Sequence, residues 1–272
     1  MKHFRLVHAL FMSFYSSELY RDIGRNWRGT GLLYLFILLL FASIPIVVKI
    51  KLGFSEWVDR EAPELVDKIP RITITNGEVS ANVETPYYIP NPKNWGTQRD
   101  DKTEYFAVID LTGKYNSLED VNAYILLTKK TASMRKSASE IRTYDLSQVQ
   151  SFWIDSGRVK GWLQTVRYAL TPIAYGFVLL FSFVYRTAQV AIYAAIGLLF
   201  VKWRRAGLRY PDLMRLSAVA VTPAVVFNEL VDLFGFHPPA WSLICFVIAM
   251  GYLFYAVNAC ATLETRPAPS PL

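Results

Sequence analysis

Residues 31–50 read GLLYLFILLLFASIPIVVKI, with no charge before Lys49. At 1.5 Å of rise per residue such a helix is about 30 Å long, the hydrocarbon thickness of a bilayer. The stretch predicts a transmembrane helix. Lys2, Arg5, Arg21, Arg25 and Arg28 precede it. A polar segment, 51–165, follows before apolar sequence resumes.

The 272 residues are 53% hydrophobic, too apolar for an ordinary soluble domain, yet 19% charged, too polar for spans alone. The expected architecture is a membrane α-helical bundle of about four spans with an inserted small α+β extracytoplasmic domain. The net charge of +7 crowds beside apolar segments. That placement points to positive-inside topology and anionic headgroups, and away from nucleic acid. The two cysteines, Cys245 and Cys260, both fall in the last apolar segment, so 51–165 holds no disulfide framework and no Cys-based metal site.

Taken in order, residues 1–30 read as cytoplasmic or interfacial amphipathic helices, with Ser16 or Ser17 capping the second. The leader is too long, and the apolar run too full, for a signal peptide. The first transmembrane helix occupies 31–50. Within 51–165, Ser55–Ile69 has helical spacing and Pro70 ends it. In RITITNGEVSAN, apolar and polar residues alternate on both sides of Asn76-Gly77, which predicts a hairpin with a type I′ turn. Residues 86–102 read as loop and 104–110 as a buried strand. Ser117 caps a short helix. Tyr124–Leu127 forms a strand that Glu140–Leu146 pairs with across a basic, Ser-rich loop. Val149–Val166 reads as a helix leading back to the membrane.

Residues 166–264 predict a bundle of three spans. The run 168–201 could form one long helix or a hairpin. The basic loop holding Lys202, Arg204, Arg205, Arg209 and Arg215 belongs in the cytoplasm by the positive-inside rule, which selects one crossing. Two further spans, 213–234 and 239–262, meet at Gly235–Pro239. A tail, 265–272, is cytoplasmic, and the location is the bacterial cytoplasmic (inner) membrane with both termini inside. Thr171-Pro172 and Thr222-Pro223 form a weak internal echo. It reads either as a transporter repeat or as ordinary repair of the backbone beside a proline.

FYSSELYRDIGRNWRGTGLLYLF, LVDKIPRITITNGEVSANVETPYYI, FAVIDLTGK, FVYRTAQVAIYAAIGLLFVK and LMRLSAVAVTPAVV, in that order, resemble a bacterial family of unassigned function. It is domain-of-unknown-function family eleven-eighty-nine, some members of which are labelled maltodextrin-utilisation proteins. The membrane half is similar to the wider Yip-type group. The resemblance implies a cytoplasmic-membrane protein with an extracytoplasmic domain after its first span. It implies no reaction and brings no catalytic residues.

Arg186 is the foremost candidate site residue, since a charge within a span is costly and is functional by default. It lies sixteen residues before Lys202, and Glu229 lies seventeen after Asp212, which puts both at one depth. The expected arrangement is an Arg186–Glu229 pair assisted by Asp232 or Gln189. The pair either pins two helices or forms a ligand or proton site. Asp110, in VIDLTGK, is a strand-end carboxylate that suits either turn chemistry or binding. Lys129, Lys130, Arg135 and Lys136 form a solvated basic run or touch anionic polymers. No G-x-S-x-G, H-E-x-x-H or Walker motif is present, and 51–165 contains no histidine.

These features predict a non-enzymatic adaptor, assembly or signal-coupling component with no cofactor and no metal. Its partners are the lipid bilayer and a membrane or envelope protein. The alternative is a transport accessory or small transporter using the Arg186/Glu229 pair.

Overall fold

The computed structural model describes residues 6–27, 29–91, 104–137, 140–235 and 238–261. The expectations for Lys2, Arg5, Arg28, the loop over 92–102 and the 265–272 tail lie outside them. The chain divides into two compact units: Met1–Ile50 with Thr171–Leu272, and Lys51–Leu170.

The elements run α1 (Leu6–Met12), α2 (Ser17–Asn26), α3 (Gly31–Arg60), α4 (Ala62–Val66), β1 (Ile72–Thr75), β2 (Glu78–Ala81), β3 (Tyr87–Pro90), β4 (Tyr105–Ile109), β5 (Ala123–Leu127), β6 (Thr131–Ser137), β7 (Glu140–Asp145), β8 (Ser151–Ile154), α5 (Ser156–Arg204), α6 (Tyr210–Ala220), α7 (Thr222–Phe234) and α8 (Trp241–Ala261). Among the described residues, four helical stretches are long and apolar enough to cross a membrane: Gly31–Arg60, Ser156–Arg204, Tyr210–Phe234 and Trp241–Ala261. The run 168–201 is therefore one helix and not a hairpin.

In the helical unit, Ser16 Oγ accepts the Leu19 N–H and starts α2, as its spacing predicts. The apolar face of α2 is covered by protein. Leu19, Tyr20, Ile23 and Trp27 are fully buried in a core shared with Tyr34, Leu213, Leu216 and Leu253. Lipid is not needed to cover that face, which departs from an interfacial placement. Small residues permit the close packing: a Cβ on Gly24 would lie 3.0 Å from Cys260 Sγ, and one on Gly197 would lie 3.2 Å from Leu213. Arg21 Nε donates to Ala259 O at 2.9 Å, taking up a carbonyl in the last turn of α8.

The stretch read as a single span over 213–234 is two helices. Val221 is the cap between α6 and α7, and Thr222-Pro223 opens the second. Pro223 has no N–H to continue the ladder, so the break falls at its first-turn position. Tyr34 Oη and Thr222 Oγ1 hydrogen-bond at 2.7 Å, both buried, beside this break.

The other unit holds two sheets. One has the order β2-β1-β8, the other β3-β4-β5-β6-β7. Thr75 faces Glu78 across the β1–β2 turn, where Asn76 and Gly77 have φ of 51° and 81°, the pair of positive values a type I′ turn requires. Strands β4 and β5 are parallel, joined by a crossover in which Ser117 caps a 3-10 turn at Leu118–Asp120. Leu118 and Val121 from that crossover pack with Val108, Ala123 and Leu126 as the core.

Three strands differ from the sequence expectation, as does the helix read over Ser55–Ile69, which is the end of α3 to Arg60 followed by the short α4. Thr131–Ser137, read as a basic loop, is β6, and it stands between β5 and β7, so β7 pairs with β6 and not with β5. Ser151–Ile154, read as the start of a helix, pairs with β1. Tyr87–Pro90, read as loop, pairs with β4. For each of the three strands a neighbouring strand supplies the hydrogen bonds, and pairing outweighs local composition.

Candidate functional site

Arg186, Gln189 and Tyr193 recur at helical spacing and share one face of α5. Arg186 Nη1 donates to Gln189 Oε1 at 2.6 Å, and Gln189 Nε2 donates to Tyr193 Oη at 2.7 Å. The guanidinium carbon also lies 5.7 Å from the Tyr185 ring centre. Arg186 thus makes its hydrogen bond three residues along its own helix, to Gln189 and not to Glu229.

The carboxylates stand on α7. Asp232 Oδ2 accepts from Asn228 Nδ2 at 3.1 Å, and Asn228 Oδ1 accepts from Trp241 Nε1 at 3.1 Å. Lys49 Nζ donates to the Asp232 carbonyl. This network joins the far end of α7 to the start of α8 and to α3. Gly235 ends α7 at φ 68°, the left-handed cap a side chain would disfavour. Of the four residues singled out from sequence, Arg186 and Gln189 are joined on α5, as expected, and Asp232 is tied to Asn228 on α7, beside Glu229 on the same helix. Tyr193 and Trp241 were missed. Tyr193 was recoverable from its i,i+4 relation to Gln189.

Glu229 also borders a groove of about 670 Å³ between α1, α3 and α7. Apart from Glu229 and Thr222 its walls are apolar, among them Val7, Phe11, Phe41 and Leu233. Phe11 is 73% exposed.

Asp110 ends β4 and is buried. Its Oδ1 accepts from Thr112 N at 2.9 Å and Thr112 Oγ1 at 2.6 Å, and its Oδ2 accepts from Tyr115 N at 2.7 Å. Burial alone would raise its pKa. The bonds from Thr112, Tyr115 and Gly113 outweigh burial and hold the carboxyl below its usual range. An acid with its lone pairs so occupied builds the turn. Near it, Tyr88 and Tyr115 hydroxyls meet at 3.0 Å and Lys114 Nζ lies 5.1 Å from the Tyr115 ring centre.

Lys129 and Lys130 lie in the exposed turn before β6, and Lys136 pairs with Glu140 at 3.2 Å. Among the described residues, no group of three His, Cys, Asp or Glu side chains is arranged to hold a metal ion.

Four helices of spanning length and composition, a separate unit of two small sheets, and polar side chains tied together between the helix ends define a helix-rich protein of membrane-compatible build. More narrowly, residues 7–257 match the model of a family described as "Protein of unknown function (DUF1189)", and the chain belongs to that family. No curated protein and no solved structure matches it.

Proposed function

We propose that the chain is a four-span protein of the bacterial cytoplasmic membrane, with both termini inside and 51–165 outside as an inserted α+β domain. It serves there as a non-enzymatic adaptor or signal-coupling component. One observation carries this reading, the apolar groove between α1, α3 and α7, with Phe11 standing open on its rim. Within a bilayer such a groove holds lipid or a partner helix that packs into it, and the proposal takes the helix. A transport path would instead be lined by polar groups with free donors. Asn228 spends a donor on Asp232 within its own helix, and Arg186 spends one of its five on Gln189.

The sheet unit adds a second exposed surface. Arg158 lies 4.4 Å from the Trp153 ring centre and 5.4 Å from that of Trp162, and both tryptophans are about half exposed. Stacked aromatic and guanidinium groups of this kind are favoured where proteins meet.

The test places a photo-crosslinking amino acid at Phe11 in the full chain at native expression. A discrete protein adduct is expected, and Leu230→Trp, which fills the groove, should remove it. Adducts to lipid alone, or adducts unaffected by the filled groove, would overturn the adaptor reading. Transport assays on Arg186 and Glu229 variants would then take precedence.

A further inference from the structure

A second cavity, of about 540 Å³, lies where α3 and α6 both begin. Gly29, Gly31 and Leu32 form one wall; Tyr210, Pro211, Met214 and Arg215 form the other. Three features make it a place for an anion with an apolar tail.

The first is a buried cation with unused capacity. The Arg215 side chain is 13% exposed. Its Nη2 donates to Asp212 Oδ1 and, at 3.4 Å, to Gly24 O, while its Nε is buried and makes no hydrogen bond. Asp212 keeps its negative charge beside the guanidinium, and its second oxygen accepts the Arg209 N–H at 2.9 Å, so an anion here shares Arg215 with it through the guanidinium N–H groups that Asp212 does not take.

The second is the opening of α3. The first backbone N–H groups of any helix lack an intrahelical acceptor, and their dipoles favour negative charge. Here the first such bond runs from Tyr34 N–H to Thr30 O, and Thr30 Oγ1, at the position where a cap would act, is buried without a partner. The loop approaches α6 so closely that a Cβ on Gly31 would lie 3.0 Å from Arg215 Cα. That closeness brings the start of α3 and the Arg215 side chain to one cavity.

The third is the lining. Leu32, Met214, Pro211 and the Tyr210 ring are apolar walls that a free inorganic anion does not need and an acyl chain does. Charge and walls together match an amphiphile.

We propose that this cavity binds one anionic phospholipid, its phosphate held by Arg215 and the start of α3 and its chain lying along Leu32 and Met214. The proposal rests on the membrane reading but not on the groove or the adaptor role. Loss of the Phe11 adduct would leave it untouched.

The experiment uses delipidated full-length protein in nonionic detergent, incubated with phosphatidylglycerol or phosphatidylcholine and weighed by native mass spectrometry. One phosphatidylglycerol should be retained about tenfold better than phosphatidylcholine, the preference expected of charge-assisted hydrogen bonds. Arg215→Gln should abolish that preference. Met214→Trp, which fills the cavity and leaves the guanidinium in place, should lower retention of phosphatidylglycerol with an unchanged melting temperature. Excess inorganic phosphate should not displace the lipid. Equal retention of the two lipids, or retention unaffected by both variants, would overturn the proposal. So would displacement by phosphate together with indifference to Met214→Trp, which would mark a free-phosphate site.

Discussion

Asp110 is a carboxylate that is 1% exposed, and it stays charged because its oxygens accept three hydrogen bonds. Asp110→Ala strands those donors and should cost the sheet unit about 3 kcal/mol, read by chemical denaturation. The native pKa is depressed, so the native state binds the proton less readily than the unfolded chain. The stabilisation is therefore full above the unfolded value of about 4 and fades as pH falls through the lower native value. Asp110→Asn should flatten that part of the stability–pH curve. At Gly77 the demand is steric: a Cβ would lie 2.6 Å from Ser147 Cα, at φ 81°. Gly77→Ala should cost about 2 kcal/mol or more. It should also speed hydrogen exchange at Asn76 and Gly77, whose N–H groups donate to Gln150 O and Val149 O. The Asp110 turn and the positive φ of Gly77 were legible in the sequence, because neighbours a few positions away set them; the approach of Ser147 to Gly77 was not. Of the partners expected for Arg186, Gln189 takes its hydrogen bond and Glu229 does not. Counting rise along two helices fixes depth but not the facing side, and Gln189 lay nearer than any carboxylate across the bundle.

Among the elements, the break between α6 and α7 is the feature hydropathy could not display, since the apolar composition continues across it. Thr222-Pro223 was visible, but its hydroxyl is buried against Tyr34 Oη at 2.7 Å, a side-chain partner on α3 that neither of its two readings named. A double-mutant cycle tests whether that bond holds the break. Tyr34→Phe and Thr222→Val should each cost about 1 to 2 kcal/mol by leaving one hydroxyl alone, and the double variant should cost less than their sum. Thermal unfolding in detergent measures all three. In the other unit, the hairpin and β4 followed from alternation. Strand β6 did not, because in TASMRKS only Ser133 is buried, and its hydroxyl bonds Thr143 Oγ1 at 2.9 Å on β7. A strand clamped between two others needs no apolar face of its own, and its polar sequence then resembles a loop.

At the scale of the whole molecule, the count of four apolar helices and the separate polar segment were both readable from composition and charge. The cover over α2 was not. An amphipathic pattern says that one face of a helix must be covered, and says nothing of whether lipid or protein covers it. Here α2 packs against α6 and α8, its Tyr20 carbonyl near Cys260 Sγ at 3.5 Å and its Gly24 against the same sulfur. The order of synthesis gives this packing a consequence. Helix α2 is made before the α6 and α8 surfaces that cover it. Until α8 is in place, Tyr20 lacks the Tyr255 ring that stands edge-on to it at 5.8 Å. An α2 without that cover should be cut faster in limited proteolysis than α2 in the full chain.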